Sequence, residues 1–138
     1  METSGLDHIT LTVSDLEHAR QFYGDFLGFD LTAAPQDYAD LVFAGGYSFM
    51  IGEVEIGLMR HAETPPGDRF HETRIGLDHL AFKAPNEAAL HALAEKLVQA
   101  GIATKGVERF ERSGKLSVTF RDPDNIQLEY WLDQPMSK

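Results

Sequence analysis

The chain has 138 residues, 43% of them apolar, no cysteine and a formal net charge of −10. That length and composition suit one globular domain or two small modules. Lack of cysteine removes disulfides and thiolate metal sites and fits a reducing compartment. The acidity sets phosphate backbones and anionic lipid surfaces against the chain, so neither nucleic acid nor a membrane is expected as a partner.

Met1-Glu2-Thr3-Ser4 lacks the basic and apolar regions of a leader, and no apolar run approaches the ~18–20 residues that span a bilayer. The cytoplasm is the expected location. The first element is "DHITLTV", where Ile9, Leu11 and Val13 share one strand face and His8, Thr10 and Thr12 the other. "SDLEHARQFYGDFLG" follows as a helix. Ser14 is the expected N-cap, with Glu17 completing a capping box. Leu16, Ala19, Tyr23, Phe26 and Leu27 make the apolar stripe, and Gly28 takes the C′ position. Extended segments are then predicted at "FDLTA", at "YADLVFA" running on through "YSFMI", and, after a Gly52-Glu53 turn, at "VEIGLMR".

"GLDH" at 5–8 returns at 76–79, and the element order returns with it. "DHLAFKA" puts Leu80 and Phe82 on one face and His79, Ala81 and Lys83 on the other. Asn86 caps "EAALHALAEKLVQAG", with Leu90, Leu93, Leu97 and Val98 as its stripe before Gly101. "IATKGVE", "KLSVTFR" and, after the turn "DPDN", "IQLEYWL" complete the second half. The expected fold class is α+β: two tandem βαβββ modules, 5–62 and 76–133, forming an open, curved mixed-sheet cleft with the helices outside. Residues 63–75 link them within a single domain spanning 1–138. The tail "DQPMSK" is expected to fray.

Strand parity sorts the chemistry. If the apolar face of each first strand packs on its helix, His8 and His79 point to the opposite side. In the last strand, Ile126, Leu128 and Tyr130 face the helix, which leaves Gln127, Glu129 and Trp131 on the side of the histidines. One histidine at a strand start is ordinarily solvated or hydrogen-bonded. Two at repeat-equivalent positions, with a carboxylate on the matching face, suit one divalent ion with coordination positions left open. Fe(II) favours such a set, and Zn, Ni, Mn or Co also accept imidazole and carboxylate. The "DPDN" turn reads as structural, setting the register that aims Glu129.

The stretches "LDHITLTVSDLEHARQFYGDFLGF", "GLDHLAF" and "VTFRDPDNIQLEYW" resemble the vicinal oxygen chelate superfamily of glyoxalases, fosfomycin and bleomycin resistance proteins and extradiol dioxygenases. The resemblance covers about residues 5–132. It implies paired βαβββ modules around one divalent metal per site, with His8, His79 and Glu129 as ligands. It also implies a small-molecule substrate and a homodimer.

One position departs from the pattern. Overlaying "QLEY" (127–130) on "EIGL" (55–58) pairs Glu129 with Gly57, where many glyoxalases carry a fourth metal-binding carboxylate. Glu55 faces the same side and is a candidate catalytic residue beside Glu129, as a displaced ligand or as a general base if burial favours its protonated form. Tyr47, Phe49, Met59 and Trp131 are candidate pocket residues. His61, His71 and Arg74 are placed to close over a ligand, and Lys83 to meet Glu129 or an anionic substrate. His18 and His91 fall on exposed helix faces.

The function these features imply is a metal-dependent enzyme acting on a small oxygen-chelating substrate, first a glyoxalase-like lyase or isomerase. Alternatives are an Fe(II) extradiol-type dioxygenase, a thiol transferase of the fosfomycin-resistance type and a non-catalytic drug-binding protein. Thr119, where a dioxygenase tyrosine would be sought, counts against the second.

Overall fold

The computed structural model describes residues 1–34 and 43–133, with the backbone alone at 43 and 44. The chain forms two compact units, Met1–Arg69 and Phe70–Lys138. The first contains β1 (His8–Thr12), α1 (Leu16–Ala19) running into a π-helical stretch (Arg20–Phe26), β2 (Thr32–Ala33), β3 (Phe43–Ile51) and β4 (Val54–His61). The second contains β5 (His79–Lys83), α2 (Glu87–Gln99), β6 (Val107–Arg109), β7 (Leu116–Arg121) and β8 (Gln127–Leu132). Each unit holds a four-stranded mixed sheet, ordered β1-β4-β3-β2 and β5-β8-β7-β6, and neither sheet closes on itself. In both, the first strand runs parallel to the last and the other pairings are antiparallel. Thus the tandem βαβββ order expected from the repeat is the order found.

Alternation makes the core of the first unit. Leu11, Val13, Ile56 and Leu58 are buried together with Tyr23 and Phe22 from the helix. The helix itself corrects two expectations. Its N-cap is Asp15, not Ser14: the Asp15 carboxylate accepts the His18 N–H at 2.8 Å. That shift moves Glu17 out of the capping-box position, and its carboxylate instead binds Arg20 at 2.7 Å and 2.9 Å. Further on the helix widens. Leu27 N–H reaches Phe22 O, five residues back, at 2.8 Å. A π turn rotates neighbours differently from a 3.6-residue stripe, which is why Phe22 is buried beside Tyr23. Gly28 ends the helix at φ +85°, and Phe29 N–H reaches back to Tyr23 O. Phe29 then stacks on Phe49 at 4.3 Å. Phe49 is therefore core, 3% exposed, and not a pocket residue.

In the second unit Asn86 caps α2 through Ala89 N–H at 2.9 Å. Leu90 and Leu97 are fully buried and Leu93 half-buried, but Val98 is exposed. It lies about 100° beyond Leu97 around the helix, which turns it off the packed face. β2 and β6 are shorter than "FDLTA" and "IATKGVE" predicted. Residues 38–42 of "YADLVFA" and 134–138 of the tail lie outside the described residues.

The "DPDN" turn joins β7 to β8. Asp122 is 5% exposed, and its Oδ1 accepts the N–H groups of Asp124 at 2.9 Å and Ile126 at 2.8 Å. Asn125 takes a left-handed φ of +71° and donates its side-chain amide to Phe70 O at 3.0 Å. Asp122→Ala strands both N–H groups and is expected to cost roughly 1–3 kcal/mol. Urea denaturation checks this as a lower midpoint with an unchanged slope.

Candidate metal centre

Parallel pairing sets what stands beside each histidine. His8 pairs with Glu55 and Thr10 with Gly57; His79 pairs with Gln127 and Ala81 with Glu129. The two sheets therefore match position for position, with Glu55 equivalent to Gln127 and Gly57 to Glu129. Leu128 is fully buried on one face of β8, and Gln127 and Glu129 stand half-buried on the other.

Each histidine is held by the aspartate before it. His8 Nδ1 lies 2.6 Å from Asp7 Oδ1, and His79 Nδ1 lies 2.7 Å from Asp78 Oδ1. A carboxylate on Nδ1 fixes the ring and leaves Nε2 as the outward nitrogen, the arrangement common among metal-binding histidines. The Asp7 hydrogen bond and charge hold the His8 pKa above its ordinary value, with Glu55 adding less. Strand parity places the two histidines but says nothing of the aspartates before them. The signal was available, since Asp is duplicated along with His.

In the second unit the structure brings two predicted ligands together. His79 Nε2 lies 3.6 Å from Glu129 Oε2. Trp131 Nε1 donates to the same oxygen at 2.5 Å and Gln127 Nε2 to Oε1 at 2.8 Å. Gln127 is fixed in turn, its Oε1 accepting from Arg121 at 3.1 Å. Arg121 is clamped by Glu72 through bonds of 2.9 Å and 2.8 Å. A chain of side chains thus runs from Glu72, in the segment expected to be a linker, to the candidate ligand.

The Arg121 guanidinium holds the Glu72 carboxyl down to about 2. A lowered folded-state pKa stabilises above the unfolded value and stops doing so as pH falls through the folded one. Wild-type stability should therefore fall between the ordinary carboxylate range and about pH 2. Glu72→Gln should flatten that limb, as read by acid denaturation.

His8 and Glu55 belong to the first unit. Glu55 is exposed, so the burial on which a general-base role was expected to rest is not there. A Cβ at Gly57 would meet Thr10 Oγ1 at 3.1 Å and Thr10 Cγ2 at 3.4 Å, so any side chain there requires Thr10 to move. Met59 and Tyr47 line a cavity of about 510 Å³ with His8, Glu55 and Gly57. In the second unit Trp131 contacts Phe110 edge-on at 5.9 Å. Lys83 is exposed, and His71 Nδ1 pairs with the Thr73 hydroxyl at 2.8 Å.

The donor set suits a divalent ion. Within each unit, among the described residues, no group of three or more His, Asp or Glu side chains is gathered at metal-binding distance. What the second unit offers is a nitrogen and a carboxylate oxygen 3.6 Å apart, too far to hydrogen-bond to each other. That separation suits two donors on one ion at about 2.0–2.2 Å each. In the first unit, His8 by itself offers a nitrogen with an aspartate behind it in the same way.

A family model, the Glyoxalase/Bleomycin resistance protein/Dioxygenase superfamily, matches residues 5–130. The chain is 30% identical over 127 residues to the uncharacterized protein YqjT of Bacillus subtilis (strain 168), covering 90% of this chain and 95% of that one. It is 35% identical over 107 residues to catechol-2,3-dioxygenase of the same organism, covering 75% of this chain and 34% of that protein. It thus spans about a third of the dioxygenase's length. The crystal structure of a glyoxylase/bleomycin resistance protein/dioxygenase domain from Frankia sp. EAN1pec is similar, with a TM-score of 0.83 and 29% identity over 99% of this chain and 96% of that one.

Proposed function

Since the chain belongs to the glyoxalase/bleomycin resistance protein/dioxygenase superfamily, we propose that it is a divalent-metal-dependent enzyme acting on a small oxygen-chelating substrate, first as a glyoxalase-like lyase or isomerase. The observation that carries this reading is the pair of Asp–His units, each leaving Nε2 free, with Glu129 beside His79. His8, His79 and Glu129 would hold the ion. Bound there, an Fe, Ni, Mn, Co or Zn ion supplies Lewis acidity to two oxygens of the substrate.

The protein's own groups do the rest. Asp7 and Asp78 hold the imidazole rings, and Gln127 and Trp131 hold the carboxylate plane of Glu129. Glu55 stands across the strand pair from His8 and, although exposed, is the carboxylate left to move a substrate proton while Glu129 holds the ion. Gly57 carries no donor at the position equivalent to Glu129, which leaves three ligands in this reading.

That three-ligand set and the catechol-2,3-dioxygenase relative favour a second reading, an Fe(II) ring-cleaving dioxygenase. Against it stands Thr119, paired with Glu129 on the neighbouring strand, where a tyrosine would be sought. Among the described residues no helix is long and apolar enough to cross a membrane. Each sheet ends in edge strands, β1 and β2 in the first unit and β5 and β6 in the second, and an edge of this kind is what a homodimer would cover.

Metal analysis of protein purified without chelator tests the proposal. We expect close to one divalent ion per site. Less than about a tenth of an ion per chain, with no uptake of Fe, Ni, Mn, Co or Zn at stoichiometric ratios, would sink it. Anaerobically Fe(II)-loaded protein given oxygen with catechol, and Ni- or Zn-loaded protein given a hemithioacetal, then separate ring cleavage from isomerisation.

A further inference from the structure

The repeat lets one unit be read against the other. Along β8 the face that carries the candidate ligand bears Gln127, Glu129 and Trp131; the equivalent face of β4 bears Glu55, Gly57 and Met59. A carboxylate and an indole are thus replaced by a hydrogen atom and a flexible thioether. On that face of the first unit lies a cavity of about 510 Å³, with His8, Gly57, Tyr47 and Met59 among its lining residues. The first unit has not merely lost a ligand, because the glycine that cannot ligate helps to line a binding space. A cavity of this size falls within the usual range for small-molecule sites.

Its chemistry is one-sided. Hydroxyls from Thr10, Thr32, Tyr47 and Ser48 line it beside the His8 imidazole, and among the described residues Glu55 is its only acidic side chain. Among the described residues no Lys or Arg lines it, and Glu55 makes no ion pair. The sequence from 21 to 59 contains no Lys or Arg at all, but carries Asp25, Asp30, Asp37, Asp40, Glu53 and Glu55. With His8 committed to the ion, an anionic group held at Glu55 would meet no Lys or Arg among the described lining residues, within a chain of net charge −10. A cation would gain Glu55 as a partner, and a neutral polar group would gain the hydroxyls.

Resting on the metal reading above, we propose that this cavity receives the non-chelating part of the substrate and selects a neutral or cationic, hydrogen-bonding group, with Glu55 as the residue that discriminates against anions. The substrate class is then an oxygen chelator bearing an amine or hydroxyl tail. Thiol conjugates and phosphonates that carry free carboxylates or phosphonate oxygens into this space are disfavoured.

Three catechols with the same chelating oxygens and different tails test this: dopamine, 4-methylcatechol and 3,4-dihydroxyphenylacetate. Each is titrated calorimetrically, without oxygen, into full-length Zn-loaded protein and into the metal-free protein. We expect dopamine to bind at least tenfold more tightly than 3,4-dihydroxyphenylacetate, with 4-methylcatechol between them. Glu55→Gln should shrink that gap to threefold or less. Glu53→Gln, in the turn outside the cavity, should leave the gap intact.

Equal affinities, tighter binding of the anion, a gap that survives Glu55→Gln, or no binding of any of the three would overturn the proposal. Binding that is the same with and without Zn would instead overturn the metal reading. The order of the three tails still decides the selectivity in that case.

Discussion

Glu129→Gln is expected to lower affinity for a divalent ion by more than about 100-fold, because loss even of a supporting contact behind a ligand costs 10–100-fold. The substitution is isosteric, so its effect on folding is small and calculable. Both Glu129 oxygens accept from donors, Gln127 Nε2 and Trp131 Nε1. A glutamine can serve only one of them, which costs about one hydrogen bond, roughly 1 kcal/mol. Circular dichroism should therefore report a folded protein while calorimetric titration with Zn or Ni reports weakened binding. Glu55→Gln, at the position equivalent to Gln127, should change metal affinity far less. The reverse order of effects would remove Glu129 from the ligand set and install Glu55.

How much of this was legible beforehand follows from which interactions are local. Alternation in "DHITLTV" and "DHLAFKA" sorted helix-facing from opposite-facing residues because a strand has a period of two and one packed face. The duplicated element order then gave the overlay of Glu129 on Gly57, and the parallel registers reproduce it. The first helix resisted for a physical reason. Ser14 and Asp15 are both good caps, and nothing in the string says which adopts the extended conformation. A π turn over 20–26 likewise has no periodic signature of its own, so Phe22 fell outside a stripe built on 3.6 residues.

At the candidate site the long-range partners were the illegible part. Gln127 and Trp131 were placed beside Glu129 by parity, yet their hydrogen bonds to it depend on rotamers. The clamp of Arg121 by Glu72 joins residues 49 apart in sequence and could not be read from spacing. Gly57 was read as a missing ligand. Its role as the lining of a cavity emerges only when Thr10, Met59 and Tyr47 are seen around it.

Asp78→Ala, and separately Asp7→Ala, should each weaken metal binding by about 10–100-fold, the usual loss when the group orienting a histidine ligand is removed. Neither aspartate is placed to ligate: each spends an oxygen on Nδ1 of the next residue, at 2.7 Å for Asp78 and 2.6 Å for Asp7. Both are exposed, so stability should barely change, which separates an orienting role from a folding one. Asp→Asn should restore part of the affinity, because an amide oxygen still accepts from Nδ1–H but without the charge. For Asp7 a pH dependence follows as well. Asp7 raises the His8 pKa, chiefly through its hydrogen bond, so a proton competes with the metal at higher pH in the wild type than in Asp7→Ala. The variant loses intrinsic affinity but meets less proton competition. The gap between the two proteins should therefore be widest at alkaline pH and narrow as the pH falls. A gap that widened on acidification would show that Asp7 does not act through His8.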